Sequence, residues 1–456
     1  MKEATTIPLP PDFTQRMQNE LGEDEYDTFI DSLSLPPAIS IHIHPIKGKF
    51  LPKQNHLSVV PWSKHGVYLK ERISFTLDPA FHAGSYYVQE ASSMLLEEAI
   101  SNCSHPSNSP IILDLCASPG GKSTLLLSIL QGNGLLVSNE IIQSRLSALE
   151  HNITKWGFPN QLITSSDPSK FSRLQEFFDI VLVDAPCSGE GLFRKDLQSR
   201  RQWSANNAFL CSLRQSRILD DMIDCIKPGG YLIYSTCTYN DAENIDQVRR
   251  LNRLGFHSIE LKNVEQFGIC KVEHERAIGY QAFPHKIKGE GFFISLLQKT
   301  NTSPGNQALL SHDINWEHHD SFDNYFQSVE EYKTFNHRSK FYIFPKKFAK
   351  ELEILSKYIR LISAGTSLGE FKNKDFIPEH ALAQSVYLSD HLESINLNLE
   401  DAINFLKKNP LVNLHESRGY QIATFENQNL GWLKGIQGRF NNLYPNNYRI
   451  KGNFDR

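Results

Sequence analysis

Short apolar runs, each ended by turn residues and followed by a helical stretch, recur through the middle of the chain. IILDLC at Ile111–Cys116, LLVSNE at Leu135–Glu140, QLITSSD ending at Asp167 and FDIVLVD ending at Asp184 each read as a buried strand. KSTLLLSIL after the first run and the stretch through Ser147 and His151 after the second read as helices, as does Phe209–Ile226. KPGG then turns the chain into YLIYSTCTY, and GEGFFISLLQ at Gly289–Gln298 supplies a final strand. Strand–helix alternation predicts an α/β fold with a parallel sheet covered on both faces, closing near residue 300.

The flanks carry other patterns. Apolar spacing over Phe13–Leu35 predicts two short helices, Ile39–Ile43 a strand ended by Pro45, Trp62–Thr76 further strands, and Tyr87–Ile100 a helix. Residues 301–325 are polar and almost without period, which predicts a linker or a surface loop. Beyond it, KFYIFP at Lys340–Pro345, a helix around Phe348–Leu355, a strand in YIRLISAG and a helix over Asp401–Asn409 predict a second α+β part. The expected division is an N-terminal lobe at 1–105, a central domain at 106–300, the linker at 301–325 and a C-terminal region at 326–456.

Composition narrows the class. The 456 residues are 40% hydrophobic and 21% charged, as in globular proteins, and the net charge of -4 leaves only local basic patches for a nucleic-acid partner. Seven Cys are too few for a disulfide scaffold and suit reduced thiols in the cytoplasm. With no run of about 20 apolar residues, neither membrane spanning nor secretion is expected. The Cys form no paired C-x-x-C and the His no H-E-x-x-H, so no metal is expected; His318 and His319 fall in the polar linker.

Three strings hold candidate chemistry. In LDLCASPGGKST, between strand and helix, Gly120 and Gly121 permit close backbone approach, and amides at the helix start can meet a polar cofactor end; a plain tight turn is the alternative. Glu140, ending the second strand, is placed to accept ribose hydroxyls, and Asp167, after the third, either lines the same crevice or caps a helix. In VLVDAPCSGEG, Asp184 and Cys187 fit a pocket for a pyrimidine attacked at C6, although a buried structural Cys reads alike. Gly189 and Gly191 let the following loop bend closely. Cys237 in YSTCTY ends another strand, and it faces the same crevice only if the two strands are neighbours.

Two basic segments complete the picture. Arg194, Lys195, Arg200, Arg201, Arg214 and Arg217 form either a phosphate strip or a solvated face. Near the C-terminus, Trp432, Phe440, Tyr444 and Tyr448 alternate with basic residues, as RNA-stacking or core aromatics would. In the front lobe, His42 and His44 stand in AISIHIHPIK where a more basic string would favour phosphate contact.

DLCASPGGKST, VDAPCSGEG and YSTCTY resemble the motifs of the NOL1/NOP2/Sun family of RNA cytosine-C5 methyltransferases. The likeness runs over roughly residues 80–300 and extends to SYYVQEASSMLL and FPHKIKGEGFF, with Pro284, His285, Gly289 and Gly291. ISAGTSLGEFKNKDFIPEHALA and GWLKGIQGRFNNLYPNNYRI are similar to the PUA-like module of its bacterial ribosomal RNA branch, the RsmF-like one. The resemblance implies a Rossmann-like class I methyltransferase domain, with S-adenosylmethionine as methyl donor, and small-subunit (16S) ribosomal RNA or the small ribosomal subunit as partner. A monomer is expected.

It further implies that Cys116, Ala117, Ser118, Pro119, Gly120, Gly121 and Lys122 surround the cofactor's methionine end, Glu140 its ribose and Asp167 its adenine. Asp184 then lies between cofactor and cytosine. Cys237 matches the attacking thiolate, and Cys187 the second thiol that assists release. Two other expectations stay open: a transfer RNA cytosine methyltransferase with the same chemistry, and a non-catalytic RNA-binding protein of ribosome assembly.

Overall fold

The computed structural model describes residues 7–50, 55–104, 108–300, 309–373, 375–411, 418–436 and 439–452. Its centre is a ten-stranded sheet. From one edge to the other, nine strands run Cys270–His274, Ala277–Ala282, Phe292–Lys299, Ile226–Thr236, Phe178–Asp184, Ile111–Asp114, Leu135–Asn139, Gln161–Thr164 and Leu361–Ala364. The tenth, Phe256–Ile259, also pairs with Phe292–Lys299. The five strands from Ile226–Thr236 to Gln161–Thr164 are mutually parallel, as the strand–helix alternation predicts. Phe292–Lys299 joins them antiparallel.

Alternation along the parallel strands divides the core between two faces. Ile112, Leu136, Ile163, Ile180 and Leu182 pack on one side, under the helices Gly121–Leu130 and Gln143–Trp156. Ile111, Leu113, Val137, Leu162, Val181 and Val183 pack on the other, under Ala205–Met222 and Ile245–Arg253. A strand buried on both sides therefore reads as an unbroken apolar run.

The sheet does not close near residue 300. Leu361–Ala364 pairs antiparallel with Gln161–Thr164 and covers what would be an open edge. The side chain of Gln161 donates to Gly365 O (2.7 Å), and Ser166 Oγ accepts from Arg360 N (2.8 Å). YIRLISAG is thus a strand, but of the central sheet, and its partner lies too far away in sequence for any local pattern to announce it.

Other expectations shift for physical reasons. Tyr87–Ile100 is not one helix: Tyr86–Val88 is a strand paired with Ile41–Ile43, and the Glu90 carboxylate caps Ser92 N and Ser93 N before the helix Leu96–Ser101 begins. From residue 309 onward the polar stretch is irregular and anchored to the fold, as a surface loop is. Trp316 donates to Glu353 (2.8 Å) and Phe322 is fully buried beside Phe341 and Phe376. Residues 301–308 lie outside the described residues.

The front lobe carries a four-stranded sheet, His56–Val59, Gly66–Leu69, Ser40–Ile43 and Tyr86–Val88. Two further four-stranded sheets form the C-terminal part, one of Tyr332–His337, Lys340–Pro345, Thr366–Lys372 and Asp375–Pro378, the other of Ser394–Asn396, Gly419–Phe425, Gln428–Ile436 and Arg439–Asn442. No helix among the described residues is long and apolar enough to cross a membrane.

Candidate active site

The acids and thiols singled out above stand at the carboxyl ends of adjacent parallel strands or in the loops just after them, where an open α/β sheet binds its ligands. Asp114, a further acid inside the first motif, ends the first of these strands fully buried, accepts from Ser123 Oγ (2.6 Å), and is pushed up to about 7 by burial. Its Oδ1 has no hydrogen-bond partner among the described residues. Gly120, at φ 111°, caps the helix that starts at Gly121 in a backbone conformation few side chains tolerate. A Cβ at Gly121 would stand 3.2 Å from the Tyr87 ring.

Loop and second strand are cross-braced by a residue the motifs did not single out. Arg145 donates to Ser118 O (2.5 Å) and pairs with the buried Glu140 (3.3 Å), while Glu140 also accepts from Ile142 N (2.8 Å). Asn152 donates to Pro119 O (2.8 Å), and the buried Asn139 amide bridges Leu115 O and Ser166 O. Asp167 caps the short helical turn Pro168–Arg173, and bonds from Ser169 hold its carboxyl below the ordinary range. Helix capping, one of its two expected roles, is therefore present.

These residues suit a cofactor with an amino-acid end and a ribose end. An orphaned buried acid, a glycine pair at which a Cβ would be tightly packed and a buried Glu at the second strand end stand at neighbouring strand ends. Lys122 faces the same place. Its Nζ meets Asp184 Oδ2 at 2.7 Å and lies over the Phe292 ring. Burial opposes the ammonium charge, but the Asp184 carboxylate outweighs it and holds Lys122 above its ordinary value.

Asp184 and Ser235 are register partners on neighbouring strands, and Ser235 Oγ donates to Asp184 Oδ1 (2.8 Å). The adjacency that spacing leaves open is therefore present. It brings Cys187 Sγ and Cys237 Sγ to 3.2 Å. The contact with Cys237, then burial, pushes the Cys187 thiol well up. The loops are stitched together by Gly191 N to Cys237 O (2.9 Å) and by Ser188 Oγ with Thr238 Oγ1 (2.9 Å). All seven cysteines are free.

The basic strip separates. Arg194 has a buried side chain doubly bonded to Glu290 (2.9 Å each), and Arg200 holds Phe193 O and Ile7 O, so both are structural. Lys195, Arg201, Arg214 and Arg217 are exposed. Among the C-terminal aromatics, Trp432 and Tyr444 are core residues at 1% exposure, and Tyr448 stacks on His151 at 4.0 Å. His42 and His44 are buried too, His44 between Trp156 and Phe158. His318, Asp320 and Asp323 group together, all exposed.

Residues outside the earlier reading complete the site: Arg145, Asn139, Ser235, and the buried Glu243 and Gln215 behind the Cys187 turn. Ser235 and Asn139 alone had a signal, their places in YSTCTY and LLVSNE.

Comparison with known proteins agrees along most of the chain. Family profiles described as 16S rRNA methyltransferase RsmB/F, N-terminal domain of 16S rRNA methyltransferase RsmF, and methyltransferase RsmF PUA domain match residues 102–298, 9–91 and 393–450. The ribosomal RNA small subunit methyltransferase F of Erwinia tasmaniensis is 28% identical, over 98% of each chain. That of Salmonella paratyphi A is 27% identical, over 96% of each. In fold, the solved structure of NSun6 from Pyrococcus horikoshii superposes with a TM-score of 0.53 at 19% identity, covering 64% of this chain and 99% of that one. With the motif strings lining one crevice and three profiles in the same order, the chain belongs to the NOL1/NOP2/Sun family, in its RsmF-like branch, and is an S-adenosylmethionine-dependent methyltransferase.

Proposed function

We propose that this protein methylates C5 of a cytosine in small-subunit (16S) ribosomal RNA, through a covalent bond between Cys237 and C6. The observation that carries the reading is the crevice in which Lys122, Asp184, Cys187 and Cys237 converge from three neighbouring strand ends. Addition of the Cys237 thiolate to C6 of an unstacked cytosine makes C5 nucleophilic, and Asp184 supports the proton or charge at N3. Residues 116–122, Glu140 and Asp167 would hold S-adenosylmethionine, which would supply a methyl group already activated as a sulfonium. A base, water or Cys187 itself, then takes the C5 proton, the C6–S bond breaks with its electron pair going to sulfur, and Cys237 is freed with Cys187 assisting.

The RNA beside the target base lies, in this reading, in a groove of ≈ 570 Å³ between the front lobe and the cofactor loop. Phe75, Phe81, Tyr87 and the exposed Val88 offer stacking surfaces, and the exposed Arg72 and Lys195 offer phosphate contacts. Asn152 and Tyr87 join it to the cofactor loop.

The test is methyl transfer from labelled S-adenosylmethionine to small-subunit RNA, naked and as assembled subunits, with Cys237→Ala and Cys187→Ala alongside. Label at C5 that Cys237→Ala abolishes supports the assignment. Label on transfer RNA alone would overturn the ribosomal substrate, and no label on any RNA would favour the non-catalytic reading.

A further inference from the structure

Cys187 rides on a turn held by two buried side chains to which the reaction above gives no part. Glu243 Oε2 accepts from Ser188 N–H (2.9 Å) and from Gln215 Nε2 (2.9 Å), and Gln215 Nε2 also donates to Pro186 O (3.1 Å). Both side chains are fully buried. The backbone is therefore tied immediately before and immediately after Cys187, at a carbonyl and at an amide. Hydrogen bonds to a buried carboxylate are among the stronger ones a protein makes.

The next residue does the same for the other thiol. Asn244 Nδ2 donates to Thr238 O (2.9 Å), and Asn244 Oδ1 accepts from Thr236 Oγ1 (2.5 Å), on either side of Cys237. Tyr234, in the strand leading to Cys237, donates to the Glu243 carbonyl (2.5 Å). Two consecutive residues thus grip the two thiol-bearing loops, one each, and their separation is that of neighbouring side chains on one backbone.

We propose that Glu243 and Gln215 are positioning residues that hold Cys187 at its working distance from Cys237, and that they act on release of the methylated base rather than on attack. This rests on the assignment of Cys187 to release made above. Asn244 braces the attacking loop through bonds of its own on either side of Cys237, so without the Glu243 grip Cys237 keeps these bonds while the Cys187 turn loses its carboxylate anchor. A displacement of about 1 Å can cost on the order of 10²-fold in a step that depends on alignment.

The experiment mixes the full-length enzyme with cofactor and its RNA substrate and follows the protein–RNA adduct on denaturing gels through a single turnover. Glu243→Ala is expected to form adduct at close to the wild-type rate and to lose it about 10²-fold more slowly, so that adduct accumulates as in Cys187→Ala. Glu243→Gln, whose amide oxygen can accept both donors, should restore release. Gln247→Ala serves as control: Gln247 is buried nearby and bonded to Ser212 O and Ala242 O, away from the turn, so no adduct should build up.

Should Glu243→Ala not fold, Gln215→Leu removes the same grip on Pro186 and carries the same expectation. The proposal is overturned if Cys187→Ala accumulates adduct while neither clamp variant does, or if formation and loss slow in parallel. If Cys187→Ala itself accumulates none, the assignment of Cys187 to release has failed, and that result is distinct from failure of the clamp alone.

Discussion

The Sγ atoms of Cys187 and Cys237 stand 3.2 Å apart, 50 positions apart in sequence, because Asp184 and Ser235 are in register on adjacent parallel strands. Two thiols this close are within reach of oxidation to each other. Stoichiometric hydrogen peroxide should convert the pair to a disulfide with release of two waters, abolishing methyl transfer until dithiothreitol is added. Peptide mass mapping checks this: a crosslink between the Cys187 and Cys237 peptides is expected, and its absence with activity still lost would point to another thiol.

Gly191 holds the Cys237 loop by its amide, and it can do so only because it lacks a side chain. A Cβ there would run into Gly291 O and stand 2.9 Å from Cys237 O, both backbone atoms that cannot swing aside. Gly191→Ala should cost about 1–3 kcal/mol of stability and a larger proportion of activity. Urea unfolding and single-turnover methylation, run on the same preparation, separate the two losses.

His42 is buried beside Trp156 with no hydrogen-bond partner for either ring nitrogen among the described residues, and burial together with nearby His65 lowers it to about 3. Its folded value lies below its unfolded one, so its contribution is complete above about pH 6.5 and falls away as pH drops toward 3. His42→Phe removes that proton uptake. Relative to wild type, the variant should gain about 2 kcal/mol between pH 6.5 and pH 5, read from urea midpoints at each pH. A pH-independent difference would contradict the burial argument.

Trp432 and the groove cations should part company in their effects. Trp432 is core and donates to Glu379 O (2.8 Å), so Trp432→Ala should cost about 3–5 kcal/mol of stability. Arg72→Ala with Lys195→Ala should leave thermal stability almost untouched, weaken RNA binding and reduce its salt slope by about one for each phosphate these side chains neutralise. Thermal melts beside filter binding at several salt concentrations test the contrast. An unchanged salt slope would remove the groove from the RNA path.

What could be read before folding was whatever is local. The parallel strands announce themselves as apolar runs because both faces are covered, and the loop after the first strand because Gly-Gly must turn sharply into a helix. Glu140, Asp167, Asp184, Cys187 and Cys237 were legible as residues at or just beyond strand ends, and the family motifs gave them expected roles. Long-range pairing was not legible. Leu361–Ala364 closes the sheet edge, Trp316 and Phe322 anchor a stretch that looks like a linker, and Trp432 and Tyr444 turn inward, each for want of a period that names its partner.

The same divide runs through the site itself. Sequence by itself determined which chemical groups this protein carries at its strand ends, since a thiol, a carboxylate and a lysine are properties of residues. Only the tertiary structure decided that Lys122 meets Asp184, that the two thiols touch, and that Glu243 and Asn244 grip one loop each. The physical reason is that hydrogen bonds and ion pairs act over about 3 Å in space, whereas motifs record distance along the chain.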